Sequence, residues 1–242
     1  MTLESLDTTL TYRCTDNLDL YSTSQCQELG TQAARDRKFR ILATPEQNAI
    51  PVLLLEDDYS GWLSNTDLDK IEPTSDGYYP VSVSRIEIEE RIDRAIAYTR
   101  NAMDGPQKYL WGGNLGPDYD CSGLIQTAFV SVGIWIPRDA YQQQYWTQPI
   151  SLDELQPGDL IFFASKQRVD HVALYVGDGQ YIHSSGTSTG RNGIAIDRLS
   201  TEGDAIGQYY YSIICGAGRI MSSYLSQGKP DVWPSRESLF IK

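Results

Sequence analysis

A change of patterning between residues 71 and 84 constrains this chain more than any other feature. Up to about Ile71 the apolar residues come in short β-type runs, such as Phe39-Arg40-Ile41-Leu42 and Pro51-Val52-Leu53-Leu54-Leu55. Turn-forming stretches separate them: Thr15-Asp16-Asn17, Thr44-Pro45-Glu46-Gln47-Asn48 and Glu56-Asp57-Asp58-Tyr59-Ser60-Gly61. Strands this short, at near-regular spacing, predict a small all-β barrel. Glu72-Pro73-Thr74-Ser75-Asp76-Gly77-Tyr78-Tyr79-Pro80 reads as a linker. Beyond it the period changes from two to nearly four. Ser84 and Glu87 form a capping-box signature, and Ile88, Ile92, Ala95, Ile96, Thr99 and Met103 share one helical face. The expectation is one helix running to Gly105-Pro106.

A second helix is predicted over roughly 121–132, closed by Gly133. Strand-like runs follow at Leu160–Ala164, His171–Val176, Gln180–Ser184, Gly193–Asp197 and Tyr209–Cys215. Helices first and antiparallel strands after predict an α+β domain. Residues 1–80 are therefore assigned to the barrel and linker, and 81–242 to the α+β domain. The stretch after Met221 shows no clear periodicity.

Composition narrows the chemistry. The 242 residues carry 20 Lys plus Arg against 32 Asp plus Glu, a net charge of −12. That field is wrong for nucleic acid or an anionic membrane surface. No run of about 18 apolar residues is present, and the start Met-Thr-Leu-Glu-Ser-Leu-Asp lacks a basic, then apolar, secretory pattern. A cytoplasmic location is the resulting expectation. Cys14, Cys26, Cys121 and Cys215 form no C-x-x-C, so zinc ribbons and thioredoxin-like pairs lack their spacing. Inert thiols are the plain reading, with a Cys14–Cys26 disulfide left open. No metal and no cofactor is expected. Only two histidines are present, His171 and His183.

Asp120 is a good N-cap for the helix that carries Leu124, Ile125, Ala128, Phe129 and Val132, which sets Cys121 in the first turn. Unsatisfied N–H groups and the positive end of the helix dipole favour thiolate there. Cys215, within Tyr211-Ser212-Ile213-Ile214-Cys215, reads instead as a small hydrophobe on a strand. Gly177-Asp178-Gly179 is a hairpin turn, and folding it brings His171 and His183 roughly opposite one another. One imidazole can then serve as base and the other orient it; equally, the two are unrelated polar residues on a hairpin. Gly186-Thr187-Ser188-Thr189-Gly190 matches the serine-hydrolase elbow, but a turn and another strand follow where that elbow needs a helix.

Tyr109-Leu110-Trp111-Gly112-Gly113, Asp120-Cys121-Ser122-Gly123-Leu124, Pro137-Arg138, Gly158-Asp159-Leu160 and the two histidines resemble, in order and spacing, the NlpC family of papain-like cysteine peptidases. Glu28-Leu29-Gly30-Thr31-Gln32-Ala33 and Gly61-Trp62-Leu63 resemble a bacterial SH3-like domain. The combination is similar to γ-D-glutamyl-L-diamino acid endopeptidases of wall-peptide recycling, including cyanobacterial ones. The resemblance implies Cys121 as nucleophile, His171 as base and His183 as third polar residue. It implies a small peptide substrate of the L-Ala-γ-D-Glu-diaminopimelate type, with a free N-terminal L-Ala. Cys121's own N–H and the Tyr109 hydroxyl would hold the oxyanion, and Trp111 would wall the pocket. Asp120, Ser122 and Asp139 match substrate-contact positions, while Ala140 departs from relatives that carry serine there. Tyr59 matches a position that closes the pocket, and Glu28 is a second candidate for that wall; each also reads as an exposed loop residue. Asp57 and Asp58 read as solvated turn charges, and Arg138 as a local attraction for an anionic substrate. Competing readings are a non-catalytic wall-binding module and another papain-like amidase or acyltransferase. Oligomeric state is not legible.

Overall fold

The computed structural model describes residues 2–188, 190–230 and 232–233. Thr189, within the serine-elbow pattern, and the residues from 234 onward lie outside them, as does Met1 at the head of the leader reading.

Seven strands make the first sheet: β1 (Thr11–Cys14), β2 (Leu18–Tyr21), β3 (Leu29–Ala33), β4 (Lys38–Ile41), β5 (Ala49–Leu54), β6 (Ser60–Ser64) and β7 (Ile71–Thr74). Their order is β3-β2-β6-β5-β4-β1-β7, with every neighbouring pair antiparallel. Alternate residues point inward, as the two-residue strand period requires. Tyr12, Cys14, Leu18, Leu20, Phe39 and Ile41 thus meet Val52, Leu54 and Leu63 in one closed core.

Part of the expected linker belongs to this sheet. Glu72, Pro73 and Thr74 pair with Arg13, Tyr12 and Thr11. A proline reads as a strand breaker, yet β7 is an edge strand, where its missing N–H costs nothing. Ser60 and Gly61 likewise leave the expected turn and open β6.

The predicted first helix is split into α1 (Arg85–Glu89) and α2 (Ile92–Asp104). Ser84 and Glu87 do form the capping box. The break falls at Arg91, whose φ of −111° and ψ of −8° are wide of the ideal helix, and its guanidinium reaches the Val132 carbonyl at 3.2 Å. Ile88 and Ile92 still enter one core. Next come α3 (Cys121–Val130), α4 (Ala140–Trp146) and β8 (Gln148–Ile150). The sheet continues with β9 (Leu160–Phe163), β10 (His171–Gly177), β11 (Gln180–Ser185) and β12 (Gly193–Arg198). The chain then forms α5 (Ala205–Ser212) and β13 (Ile214–Arg219), and the strand order is β12-β11-β10-β9-β13-β8.

The strand expected over 209–215 is therefore helical for most of its length. Tyr209, Tyr210 and Tyr211 have strand preferences, but the Asp204 carboxylate accepts the Gly207 N–H at 2.9 Å and starts a helix that tertiary packing keeps. That helix covers the second face of the sheet. Leu160 and Phe162 of β9 pack toward α2 and α3, while Ile161 and Phe163 pack toward Tyr210. All four β9 residues are buried, because both faces are covered. Among the described residues no helix is long and apolar enough to cross a membrane.

The unplaced stretch after Met221 returns to the barrel. Ser222 bridges to Ser84, and Asp58 then accepts hydrogen bonds from Tyr224 Oη, Ser226 Oγ, Gln227 N and Gly228 N at 2.7–2.9 Å. Asp57 and Asp58 are accordingly 1% and 3% exposed, not solvated. Asp57 accepts Arg37 Nη2 at 2.7 Å and Gln126 Nε2 of α3 at 2.9 Å. An acidic run in a turn reads as surface only until its partners, far off in the chain, are brought to it. All four cysteines are free thiols.

Candidate active site

Asp120 caps α3 as its sequence position predicts, accepting the Gly123 N–H at 2.6 Å. Cys121 follows as the first helical residue. The glycine beside it is needed for space: a Cβ on Gly123 would collide with the Gly113 carbonyl and meet Asn114 Cβ at 2.9 Å. The 109–114 segment thus lies directly against the helix start, and the Asp120 carboxylate secures it by accepting Gly112 N at 2.9 Å.

The state of the thiol differs from the expectation. Cys121 is 7% exposed, and burial, reinforced by Asp120, pushes its thiol up to about 12. The Val172 and Ser122 N–H groups and Arg138 act in the opposite sense but are outweighed. Burial thus works against the thiolate by more than one helix end favours it.

The contact with Val172 places the sulfur beside the strand that starts at His171. The two histidines are diagonal neighbours, not opposite ones. The β10–β11 register is Leu174↔Ile182 and Tyr175↔Tyr181, so His183 comes opposite Ala173, one diagonal step from His171. His171 Nε2 and His183 Nδ1 are 2.7 Å apart. His183 Nε2 is 3.0 Å from Asp197 Oδ2 on β12. Burial lowers both histidines, His171 strongly, so both imidazoles are neutral near pH 7. Burial pushes Asp197 up, but its bonds to His183 and Arg191 prevail and hold it down at about 2.

A cleft opens at Cys121. Glu28, Tyr59, Tyr109, Trp111, Asp120, Ser122 and Asp139 all line it, so the substrate positions expected from the sequence converge on one space. His171 and His183 are buried, at 8% and 0% exposure, and are not among the residues lining it. Ser22, Gly30, Tyr141, Arg168 and Asp170 are further lining residues that the sequence did not single out. Gly30 is again a matter of room, since a Cβ there would press on the Tyr59 hydroxyl at 3.0 Å. Burial, with Cys121 and Asp120 nearby, pushes the Tyr109 phenol up, so it remains a hydrogen-bond donor.

Arg138 is not available to an anionic ligand. It is 0% exposed, with Nη1 and Nη2 on the two Asp120 oxygens at 3.0 and 2.7 Å and Nε on Thr31 Oγ1 of the barrel at 2.8 Å. Arg138 thereby ties barrel, helix start and Ser122 together, the last at 3.0 Å. Arg168 is the cation that lines the cleft. Asp197 also escaped the sequence reading. The available signal was an acid inside the apolar strand Ile194-Ala195-Ile196.

A cysteine at a helix start, set against a sheet that carries hydrogen-bonded imidazoles, defines a thiol–imidazole site on an α+β domain. Residues 106–212 match the NlpC/P60 family, and residues 20–68 match the bacterial dipeptidyl-peptidase Sh3 domain. The chain carries an NlpC/P60 domain behind a bacterial SH3 domain. Gamma-D-glutamyl-L-lysine dipeptidyl-peptidase of Bacillus cereus is 48% identical over 79 residues, 31% of this chain and 24% of that protein. Its Bacillus subtilis namesake is 45% identical over 82 residues, 33% of this chain and 28% of that one. Probable endopeptidase p60 of Listeria seeligeri is 38% identical over 112 residues, 46% of this chain. The chain spans 19–28% of the length of these three relatives. A solved NlpC/P60 family protein from Bacillus cereus is 27% identical, with a TM-score of 0.45 over 89% of this chain and 65% of its own.

Proposed function

We propose that this protein is a cysteine endopeptidase that hydrolyses the γ-D-Glu–diaminopimelate bond of peptidoglycan-derived peptides bearing a free N-terminal L-Ala, in the recycling of wall peptides. One observation carries the reading: the cleft at Cys121 is walled on its far side by Ser22, Glu28, Gly30 and Tyr59 of the barrel. A wall there suits the end of a peptide better than a glycan continuing beyond it. Glu28, Asp139 and Asp170 make the rim acidic, which suits an ammonium terminus, since a desolvated cation needs a paired carboxylate. The Bacillus relatives named for γ-D-glutamyl-L-lysine dipeptidyl-peptidase activity support the bond type. Free-terminus selectivity suits fragments already released from the wall, which is the support for recycling and for a cytoplasmic place of action.

In this reading Cys121 attacks the γ-carbonyl as His171 takes its proton. The oxyanion forms at the start of α3, where first-turn N–H groups have no intrahelical partner, with the Tyr109 hydroxyl as a second donor. His171 then protonates the leaving amine, and water hydrolyses the thioester.

The test compares L-Ala-γ-D-Glu-diaminopimelate with the same peptide acylated on its amino group by a muramyl unit. The expected result is cleavage of the free peptide with at least about 100-fold higher kcat/KM, a discrimination of about 2.7 kcal/mol, and no cleavage by C121A. Equal rates on the two peptides overturn the free-terminus reading. Undiminished hydrolysis by C121A overturns the enzyme assignment.

A further inference from the structure

We infer that Asp197 is a positioning residue that fixes the tautomers of both histidines and so decides which nitrogen of His171 carries a lone pair. The inference deepens the proposed chemistry and rests on the reading of Cys121 as nucleophile and His171 as base.

Three adjacent strands supply one group each. His171 stands on β10, His183 on β11 and Asp197 on β12, in a diagonal line across one face of the sheet. The β11–β12 register puts His183 opposite Ala195 and Tyr181 opposite Asp197, so Asp197 reaches His183 by the same diagonal step that links the histidines. Both contacts have hydrogen-bond length, 2.7 Å and 3.0 Å. All three groups are buried, at 8%, 0% and 6% exposure. Burial makes the neighbouring ring or carboxylate the partner at His171 Nε2 and at both nitrogens of His183.

The direction of the chain of bonds follows from the donor inventory. An ionised carboxylate only accepts. Arg191 keeps Asp197 ionised, with Nη2 on Oδ1 and Nε on Oδ2 at 3.3 Å, and Asp204 holds Arg191 from the other side at 2.5 and 3.0 Å. His183 must then carry its proton on Nε2. A neutral His183 has a lone pair on Nδ1, and that lone pair requires the proton of His171 to be on Nε2. His171 Nδ1 is left as a base. One carboxylate, two imidazoles away from the reacting sulfur, sets a single productive arrangement out of the tautomers the rings allow. When the S–H bond breaks, the proton goes to His171 Nδ1 and the sulfur pair forms the bond to the carbonyl carbon. The imidazolium so formed keeps its Nε2–H on His183, and no other proton has to move.

Asp197→Asn reverses the logic. Arg191 Nη2 keeps the amide oxygen at the Oδ1 position, so the amide N–H₂ faces His183 Nε2. Both histidines then turn to the Nδ1–H form, and His171 has no lone pair for the thiol.

The experiment is a ¹H–¹⁵N imidazole correlation spectrum at pH 7 of wild type, D197N and D197E, beside their kinetics on the free wall peptide. With only two histidines in the chain, the spectrum holds two ring systems. The expected result is Nε2–H at both rings in wild type and Nδ1–H at both in D197N. In D197N kcat falls at least about 100-fold with KM changed less than about threefold, as for other wrong-tautomer variants; D197E restores the Nε2–H pattern and part of the rate. A wild-type His171 in the Nδ1–H form overturns the inference without recourse to any variant. D197N that keeps both Nε2–H tautomers also overturns it, because any loss of rate is then structural. If wild type cleaves no wall peptide, the functional proposal fails, while the tautomers still decide the role of Asp197.

Discussion

At Cys121 two ordinary effects compete, and the structure shows which prevails. A helix start stabilises a nearby anion by about 0.3–1 kcal/mol at an exposed site and up to about 2 kcal/mol when partly buried. Burial beside Asp120 outweighs that and pushes the thiol up to about 12. His171 is meanwhile held low by burial, so at both groups burial works against the charged form, thiolate and imidazolium alike. The sign of the pH dependence follows. Thiolate is the reactive form toward iodoacetamide, so the alkylation rate of Cys121 in the free protein should climb about tenfold per pH unit from pH 7 to 10, with no plateau. Mass spectrometry of the Cys121 peptide separates it from Cys14, Cys26 and Cys215. A rate flat between pH 6 and 8 would instead reveal a preformed ion pair. Part of the site was legible in the sequence, because Cys121, His171 and lining residues such as Tyr109, Trp111 and Asp120 sit in short motifs, whereas Ser22, Tyr141, Arg168 and Asp197 carry no such signal. The protonation states were not legible, because they depend on burial, and burial is a property of the assembled sheet and helices. Asp57, Asp58 and Arg138 read as exposed charges for the same reason: each is engaged by partners that sequence distance conceals.

At the scale of elements, helix α3 is the part on which the site depends. Its start touches the 109–114 segment so closely that Gly123 has no room for a methyl group. Gly→Ala within a helix ordinarily gains about 1 kcal/mol. Here the added carbon meets backbone, and overpacking costs about 1–3 kcal/mol, so the cost should win. Gly123→Ala is expected to destabilise by about 2 kcal/mol and lower Tm by roughly 4–8 °C in a chain of this length; calorimetry checks it, and an unchanged or raised Tm would show that the segment yields. Element type was legible wherever period and capping agreed, as at Asp120 for α3 and Ser84 for α1. It failed at 209–212, where a tyrosine run suggested strand and the Asp204 cap with packing on the sheet decided for helix. It failed again at Glu72–Thr74, where Pro73 reads as linker but sits on an edge strand.

At the scale of the whole molecule, the barrel and the α+β domain share polar contacts that neither can satisfy alone. Gln32 accepts Asn114 N at 3.2 Å and Leu115 N at 3.1 Å, and its own N–H donates to Asn114 Oδ1 at 2.9 Å. Arg138 reaches Thr31, and Gln126 reaches Asp57. Asp58 then gathers the segment after Met221 through four hydrogen bonds. Asp58→Ala leaves those donors without their acceptor and should cost about 3 kcal/mol. The expected fall in Tm is roughly 6–12 °C, with hydrogen exchange across 222–228 rising far more than across β10. A change within about 2 °C would mean that solvent replaces the carboxylate without loss.

The path of the chain gives that anchor a further meaning. The polypeptide leaves the barrel after β7, builds the α+β domain, and comes back to grip the barrel again at Asp58. A body held at one point can swivel; a body held at two can only flex. The barrel therefore acts as the fixed jaw of a calliper, and the gap between Tyr59 and Cys121 is a length set by the fold; on the proposed function, it is the length against which a peptide end is measured.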